Sequence, residues 1–267
     1  MGLLDAKIAI VTGGAGGIGL GIVERFRAEG ARVVAIDNDP TRAAALRETG
    51  LAEVVVDGDV RRADDLDALF AAADALGPLG VIVNNVGHYG AGRGAFHEQS
   101  ESEWHDLYQV NLEHVLRCSQ RAVLRFLDTG DGGTIVNVST IEAFRGIPTR
   151  AVYSSYKAAI TGLTKSLAVE YAHAGIRVNA VAPDVTETIQ VPYSKWLAPD
   201  DAAMIPTWVP LGRFGTAFDI AGAVLFLASP LSSFVTGTTV HADGGTFAAG
   251  GWFPTAEGGW TNRPRRP

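Results

Sequence analysis

The sequence contains a single cysteine, Cys118, among its 267 residues. One cysteine cannot form a disulfide within the chain, which excludes a disulfide-stabilised secreted scaffold. We expect Cys118 to be a buried helix residue without a catalytic role, because its helical neighbours are mostly of structural types. No metal site is expected.

Long apolar runs and basic clusters are also scarce. No stretch is long and apolar enough to span a membrane, and the apolar run near the N-terminus is too short for a signal peptide. The net charge is −7, with no basic run before the last few residues, so neither nucleic acid nor an anionic membrane is an expected partner. We therefore expect a cytoplasmic protein that acts on a small molecule.

The chain is rich in glycine, with 32 residues, and in short β-branched apolar runs. Longer segments with helical periodicity separate the runs, most of which are typical of strands buried on both faces. This alternation predicts an α/β fold: one doubly wound, Rossmann-like domain over residues 1–267, whose parallel sheet has about seven strands and helices on both faces. The predicted strands are Ile8–Val11, Val33–Ile36, Val54–Val56, Val81–Val83, Thr134–Val138, Arg177–Val181 and Thr238–His241.

A glycine-rich loop, VTGGAGGIG, follows the first predicted strand and precedes an amphipathic helix. Gly14, Gly16 and Gly19 satisfy the G-x-G-x-x-G pattern of dinucleotide-binding sites. The missing side chains let the backbone approach a pyrophosphate, and the N-terminus of the next helix stabilises its charge. We expect cofactor contacts from Gly13, Gly16, Gly17, Ile18 and Gly19.

The second predicted strand ends in Asp37, eighteen residues after Gly19. An acidic residue at this distance accepts hydrogen bonds from the adenosine ribose hydroxyls, and its charge would repel the extra phosphate of NADP. The nearest cation, Arg42, falls within the next predicted helix. The alternative is that Asp37 merely caps that helix, as Asp39 is expected to do. We favour NAD as the cofactor.

Tyr153 and Lys157 are four residues apart in a segment of helical character, so both side chains are expected on one helix face. A nearby ammonium lowers the pKa of a phenol from its usual value of about 10. A phenol that titrates nearer neutrality is a usable general acid or base. The pair alone is also compatible with surface packing. Tyr153 is, however, the only tyrosine with a lysine four positions later.

Taken in chain order, these motifs resemble those of the classical short-chain dehydrogenase/reductase family. The resemblance extends from about Leu4 to Thr246 and includes further matches at the spacings of the family. They are Asp59-Val60, Asn84-Asn85-Val86-Gly87, Asn111, the hydroxyl pair Ser139-Thr140, the segment Val178–Pro183, the segment Ser233–Gly237 and Asp243-Gly244-Gly245.

The resemblance implies a role for each matched residue. Tyr153 would exchange a proton with the substrate oxygen. Lys157 would hold the nicotinamide ribose and lower the tyrosine pKa, together with the positive charge of NAD+. Asn111 would support a water molecule that connects the lysine to solvent. Further cofactor contacts are implied for Asp59, Val60, Asn85, Gly87, Pro183, Val185, Thr186 and Thr188.

Two positions depart from the family pattern. The family usually has glycine after Pro183, where this chain has Asp184, so the backbone angles of the loop or the charge of the pocket would differ. The substrate-orienting serine usually stands thirteen residues before the tyrosine, which is the position of Thr140. Only one of two neighbouring strand residues can face the substrate. Spacing favours Thr140, and residue type favours Ser139.

We expect an NAD-dependent dehydrogenase that interconverts a secondary alcohol and a ketone by hydride transfer. The alternatives are an NADPH-dependent carbonyl reductase of the 3-oxoacyl type and a non-catalytic dinucleotide-binding sensor. A substrate lid is expected over residues 186–213, whose aromatic side chains either favour an apolar substrate or pack the lid onto its own domain. His88, Glu142 and Phe144 are further candidate pocket residues, because they follow the carboxyl ends of strands.

The C-terminal segment, residues 246–267, is the least typical part. Trp252, Phe253 and Trp260 stand among glycines, and a disordered tail seldom carries so many large aromatic side chains. We expect this segment to pack across a subunit interface, with Arg263, Arg265 and Arg266 in solvent. The family resemblance implies a homotetramer.

Overall fold

The computed structural model describes residues 2–90, 94–251, 253–255 and 258–261. Seven strands form one sheet in the order β3-β2-β1-β4-β5-β6-β7, and every neighbouring pair is parallel. This confirms the predicted doubly wound α/β fold. The strands are β1 (Ile8–Thr12), β2 (Arg32–Asp37), β3 (Val54–Asp57), β4 (Leu79–Asn84), β5 (Gly133–Val138), β6 (Ile176–Pro183) and β7 (Thr239–Ala242).

Helices connect the strands, and a short antiparallel ribbon of β8 (Phe253–Pro254) and β9 (Trp260–Thr261) follows them. None of the helices in the described ranges is long and apolar enough to cross a membrane. The helices are α1 (Gly17–Ala28), α2 (Pro40–Thr49), α3 (Ala63–Asp74), α4 (Glu101–Tyr108), α5 (His114–Thr129), α6 (Ala151–Tyr171), α7 (Tyr193–Trp196), α8 (Pro199–Ala202), α9 (Ile205–Trp208), α10 (Ala217–Ala228) and α11 (Thr246–Ala249).

The sheet is buried on both faces because alternate side chains of each central strand point in opposite directions. In β1, Ala9 and Val11 join a core shared with α1, α2 and α10, whereas Ile8 and Ile10 join a second core shared with α3, α5 and α6. Full burial of one such isoleucine contributes about 1.5–3 kcal/mol. This double coverage explains why the strands are apolar at consecutive positions.

The strand order reverses between β1 and β4. From β1 the chain moves outward to β3, and after returning to β4 it moves outward to β7. In an open α/β sheet, the carboxyl ends of the strands on either side of such a reversal bound a crevice that binds ligands. The glycine loop and the residues after β4 both lie at this edge.

Candidate active site

A cleft of about 890 Å³ opens along the carboxyl edge of the sheet. Its two ends are lined by different residues. We call the end formed by the glycine loop, Asp37, Asp59 and Asn85 the cofactor half. We call the end formed by Thr140, Glu142, Tyr153, Asp184 and Tyr193 the substrate half.

The glycine loop turns sharply between β1 and α1. Gly13 and Gly17 have φ values of +64° and +52°, which side chains of L residues rarely adopt. A Cβ atom on Gly19 would lie 1.9 Å from the Gly13 carbonyl oxygen. Gly16 precedes the first residue of α1, and Gly16, Gly17 and Ile18 line the cleft. The loop therefore presents bare backbone at the start of a helix.

Asp37 ends β2 and is 7% exposed. Its Oδ2 accepts a hydrogen bond from the Ala15 amide at 3.1 Å, and its Oδ1 accepts one from the Asp39 amide at 3.1 Å. Asp39 is the residue that caps α2, by accepting the amides of Thr41 and Arg42 at 3.0 Å each. Asp37 is therefore held at the cleft and is not the helix cap.

Arg42 is a cleft residue that the sequence interpretation set aside. It lies in α2 as predicted, but its Nη2 is 3.5 Å from Asp37 Oδ1 and its Nε is 3.4 Å from Asp39 Oδ2. Its side chain also passes near Gly16, where a Cβ atom would come within 3.3 Å of Arg42 Cδ. The spacing of Asp39 and Arg42 on the helix was the available signal.

Asp59 follows β3 and is bound by a neighbouring arginine. The Arg61 amide donates to Oδ1 at 2.9 Å, and the Arg61 Nε donates to Oδ2 at 2.9 Å. Burial raises the pKa of Asp59, but these hydrogen bonds outweigh it and leave the pKa below its ordinary value. Val60 is 3% exposed and lines the cleft. Any adenine contact of Asp59 would share this carboxylate with Arg61.

Asn85 and Gly87 shape the cleft after β4. The Asn85 side-chain amide donates to the Thr12 carbonyl at 2.9 Å, and its backbone amide donates to the Thr12 hydroxyl at 2.9 Å, so the ends of β4 and β1 are tied together. A Cβ atom on Gly87 would lie only 2.5 Å from Lys157 Nζ. A side chain at this position would force the lysine ammonium to move.

The two candidate hydroxyls after β5 point in different directions. Ser139 is 4% exposed, and its hydroxyl donates to the Lys157 backbone carbonyl at 3.0 Å. The Thr140 hydroxyl is near enough to the Tyr153 phenol to lower its pKa, and it donates to the Pro183 carbonyl at 3.4 Å. The geometry thus brings Thr140, and not Ser139, to the phenol.

The protein's own groups raise the pKa of Tyr153 to about 12. Burial is the largest cause, the hydrogen bond from Thr140 acts in the opposite direction, and the negative charge of Glu142 raises the pKa further. Lys157 Nζ is 6.0 Å from the centroid of the tyrosine ring. At that distance it does not produce the lowered pKa that the sequence predicted.

Lys157 lies on α6 one turn after Tyr153 and is 3% exposed. Its Nζ donates to the Val138 carbonyl at 3.1 Å, and burial lowers its pKa to about 8. An ammonium has three hydrogen atoms to donate, and Val138 accepts one. No other hydrogen bond of this ammonium exists within the described residues. Two donors therefore remain for a ligand in the cleft.

Asn111 is fully buried in a π-helical turn, Gln109–Glu113, between α4 and α5. Its side-chain amide donates to the His88 carbonyl at 2.8 Å, and its Oδ1 accepts the His88 amide at 3.1 Å. Such turns occur frequently at functional sites. Here the turn fixes the backbone after β4, next to Gly87 and Lys157.

His114 is a buried residue that sequence reasoning missed. It is 0% exposed, and neither ring nitrogen has a hydrogen-bond partner among the described residues. Burial lowers the pKa of His114 to about 3, and the positive charge of Lys157 adds to this shift. The nearby Gln109 carbonyl opposes the shift, although it does not make a well-formed hydrogen bond with the ring. The available signal was a histidine in the apolar stripe of α5. On that stripe Cys118 is buried, which raises its pKa to about 12 and keeps the thiol neutral.

Asp184 belongs to an ion-pair network in the substrate half. Its backbone does not have the positive φ that glycine would permit, so the departure from the family pattern changes the charge of the pocket. Its Oδ2 accepts Arg145 Nη2 at 2.8 Å and the Thr246 hydroxyl at 2.5 Å. Arg145 Nη2 also donates to Glu142 Oε1 at 2.9 Å. Burial lowers the pKa of Arg145, but its bonds to both carboxylates outweigh burial and raise the pKa.

The segment 186–213 holds aromatic residues in several environments. Tyr193 stacks on Phe214 with ring centroids 4.6 Å apart and lines the cleft with Trp196, whereas Trp208 is 74% exposed. Tyr193 thus packs inside the segment and also lines the cleft, and an apolar substrate stays a prediction. The remaining predicted cofactor contacts in this region also line the cleft: Pro183, Val185, Thr186 and Thr188.

Of the other candidate pocket residues, one lines the cleft and one packs elsewhere. His88 lines the cleft and stacks on Tyr89 with ring centroids 5.3 Å apart. Phe144 packs against His241 and Phe247 instead. In the C-terminal segment Phe253 is 54% exposed, and the side chains of Trp252, Trp260, Arg263, Arg265 and Arg266 lie outside the described residues. Packing of this segment at a subunit interface stays a prediction.

Comparison with known proteins relates the chain to a family of oxidoreductases. A family model described as "Enoyl-(Acyl carrier protein) reductase" matches residues 13–246. The chain is 38% identical over 248 residues to 3beta-hydroxysteroid dehydrogenase 1 of Eggerthella lenta, covering 91% of this chain and 94% of that protein. It is 40% identical over 252 residues to galactitol 2-dehydrogenase of Rhizobium johnstonii, covering 91% and 95%.

A solved structure has the same fold. The crystal structure of carveol dehydrogenase from Mycobacterium avium in complex with NAD superposes with a TM-score of 0.84. The two chains are 29% identical, and the match covers 93% of this chain and all of the other. The sheet, the helices on both faces and the cleft thus belong to a shared architecture.

Proposed function

Since this chain belongs to the short-chain dehydrogenase/reductase family, we propose that it is an NAD-dependent oxidoreductase that interconverts a secondary alcohol and a ketone. One observation carries the proposal. The Thr140 hydroxyl, the Tyr153 phenol and the Lys157 ammonium line the same cleft as the glycine loop and Asp37. A proton-transfer group and a dinucleotide site are thereby brought together.

The cofactor half fits a dinucleotide. The glycine loop leaves space where side chains would stand, and the start of α1 favours a pyrophosphate charge. The Asp37 carboxylate, fixed by two amides, can accept hydrogen bonds from ribose hydroxyls. Lys157 retains two donors for the second ribose. The rest of the cofactor half is lined by Asp59, Val60, Asn85 and Gly87.

In the direction of oxidation, Thr140 Oγ1 would hold the substrate oxygen and Tyr153 would take its proton. Bound NAD+ would supply the hydride acceptor and a positive charge. Since the protein's own groups raise the pKa of Tyr153 to about 12, that charge is needed to make the phenol a base. Lys157 would then pass the proton toward solvent through a water molecule supported by Asn111. In this mechanism Ser139 acts indirectly, by holding the start of α6.

NAD is favoured over NADP because the Asp37 carboxylate would repel a ribose phosphate. The similar carveol dehydrogenase structure is a complex with NAD. The second candidate function is an NADPH-dependent reductase. It is favoured by Arg42, whose guanidinium lies 3.5 Å from Asp37 and could bind a phosphate. The ratio of kcat/KM for NAD and NADP decides between them.

The direct test follows reduced nicotinamide by absorbance while secondary alcohols and ketones are screened with NAD(H). We expect turnover that disappears in Tyr153→Phe. Tight cofactor binding with no turnover of any compound would instead favour the sensor. Relatives named for a steroid and for galactitol are similarly close, so similarity does not choose between an apolar and a polyhydroxylated substrate. A homotetramer and a lid over residues 186–213 are part of the proposal.

A further inference from the structure

Two carboxylates line the substrate half beside the proposed catalytic group. Glu142 is 16% exposed and Asp184 is 10% exposed, and both border the cleft that contains Tyr153. Glu142 is close enough that its charge raises the pKa of the Tyr153 phenol. The reacting carbon of a substrate bound at Tyr153 would therefore have negatively charged oxygen atoms for neighbours.

Both carboxylates keep oxygen atoms that can accept further hydrogen bonds. The two contacts of Asp184, from Arg145 and Thr246, go to Oδ2, and in the described ranges Oδ1 accepts none. This Oδ1 is not among the fully buried atoms that lack a partner, so it is accessible to solvent, and Asp184 is a residue of the cleft lining. Glu142 Oε2 accepts one hydrogen bond from Arg145 Nε, and its length of 3.5 Å makes that bond weak. A carboxylate can accept about four hydrogen bonds.

Arg145 holds these acceptors in place. Its Nη2 bridges Glu142 Oε1 at 2.9 Å and Asp184 Oδ2 at 2.8 Å, which joins the loop after β5 to the loop after β6. The Thr246 hydroxyl anchors Asp184 from α11. Groups fixed in this way bind a ligand without first being ordered.

The charges favour a neutral donor. Two carboxylates stand beside two guanidinium groups, because Arg150 also lines this end of the cleft. The balance gives no net attraction for an ammonium or a second carboxylate. An apolar ligand would remove water from charged oxygen atoms without replacing its hydrogen bonds, which is unfavourable. A hydroxyl group replaces them.

From the proposed function and this geometry we infer that the preferred substrates are diols or polyols. Their second hydroxyl, near the reacting carbinol, donates to Asp184 and Glu142. This specificity differs from the apolar substrate that the aromatic residues of 186–213 predicted. Asp184 and Glu142 are positioning residues in this inference, and the proton still goes to Tyr153.

The test compares matched alcohols at saturating NAD: cyclohexanol with the cyclohexanediols, and 2-butanol with 1,3-butanediol and 2,3-butanediol. We expect kcat/KM to be at least about tenfold higher for a diol than for its mono-alcohol. Asp184→Asn should reduce this preference about fivefold to tenfold, mainly through the KM of the diol. Amino alcohols and hydroxy acids should gain no such preference.

Asp131→Asn is the matched control, since Asp131 is exposed and does not line the cleft. It should leave the ratio unchanged. Mono-alcohols that react as well as diols would overturn the specificity and leave the proposed function standing. If no alcohol reacts, calorimetry in the presence of NAD separates the two ideas. Tighter binding of diols would then support the site while the dehydrogenase activity fails, and equal binding would overturn both.

Discussion

The cofactor half and the substrate half of the cleft are built in different ways. In the cofactor half, backbone groups form most of the site. Glycines with positive φ turn the chain, and the backbone amides of Ala15 and Asp39 donate hydrogen bonds to Asp37. In the substrate half, side chains from separate loops meet, as Arg145 joins Glu142 to Asp184. The first half depends mainly on backbone amides and on missing side chains, and the second depends on charged side chains. Substrate specificity can therefore change while the cofactor site stays constant.

Tyr153→Phe should have the largest effect, because it should abolish most of the turnover and leave cofactor binding intact. Removal of the phenol oxygen should lower kcat by about 10²–10⁴-fold, because the proton-transfer group is lost. The Kd of NAD, measured by fluorescence titration, should change little. The control is Tyr156→Phe, whose hydroxyl donates to the Trp104 carbonyl at 3.2 Å outside the cleft. Turnover near that of the control in Tyr153→Phe would contradict the mechanism.

Asp37→Ser should damage the cofactor half alone. Loss of charged hydrogen bonds to the ribose should lower kcat/KM for NAD by about tenfold to a hundredfold. NADP should gain, because Arg42 would lose its partner Asp37 and become available to a phosphate. Asp64→Ser is the control, since Asp64 is exposed and does not line the cleft. An unchanged NAD/NADP ratio in Asp37→Ser would refute the assignment of Asp37.

Gly87→Ala tests the boundary where the halves meet. The new Cβ atom would stand 2.5 Å from Lys157 Nζ, so the ammonium must move. We expect kcat to fall and the Kd of NAD to rise, each by about tenfold. Gly146→Ala, with nothing within 4 Å of the added Cβ, is the matched control. Equal kinetics in the two variants would show that the position of the ammonium is not critical.

The prediction with the smallest effect on turnover concerns His114, which is buried near the same boundary. The pKa of His114 in the native state, about 3, lies below its usual value of 6.5. Between these two pH values the histidine is protonated in the unfolded chain and neutral in the native state. This lowers the free energy of unfolding progressively as the pH falls from about 6.5 toward 3, by about 3 kcal/mol at about pH 4. His114→Gln should therefore lose stability less steeply in acid, as measured by urea unfolding at several pH values.

His173→Gln is the comparison for that experiment, because His173 is exposed. Its unfolding free energy should follow the pH dependence of the unmodified protein. Parallel curves for all three proteins would show that His114 is not kept neutral by burial.

The sequence predicted well those features whose causes are local. All seven strands were found because both faces of the sheet require apolar residues, and the glycine loop was found because its turn requires missing side chains. The choice between Ser139 and Thr140 needed the structure, since β5 ends at Val138 and only the fold shows which hydroxyl lies near the Tyr153 phenol.

Other features had no local cause. The position of Arg42 over Asp37 depends on how α2 packs, and the partners of Asp184 come from residues far away in the chain. The raised pKa of Tyr153 arises from burial, which the spacing to Lys157 could not indicate. His114 was missed because one polar residue on an apolar stripe carries no motif.

The strand order also has a consequence for the chain during its synthesis. The unit β3-β2-β1-β4 is complete once residues up to Asn84 have left the ribosome, long before Tyr153 is made. Until β5 arrives, the strand Leu79–Asn84 has one unpaired edge with mostly buried, apolar side chains. Such edges pair with other chains. A ribosome that stalls between β4 and β5 would therefore hold a nascent protein prone to aggregate through a strand that the finished enzyme conceals.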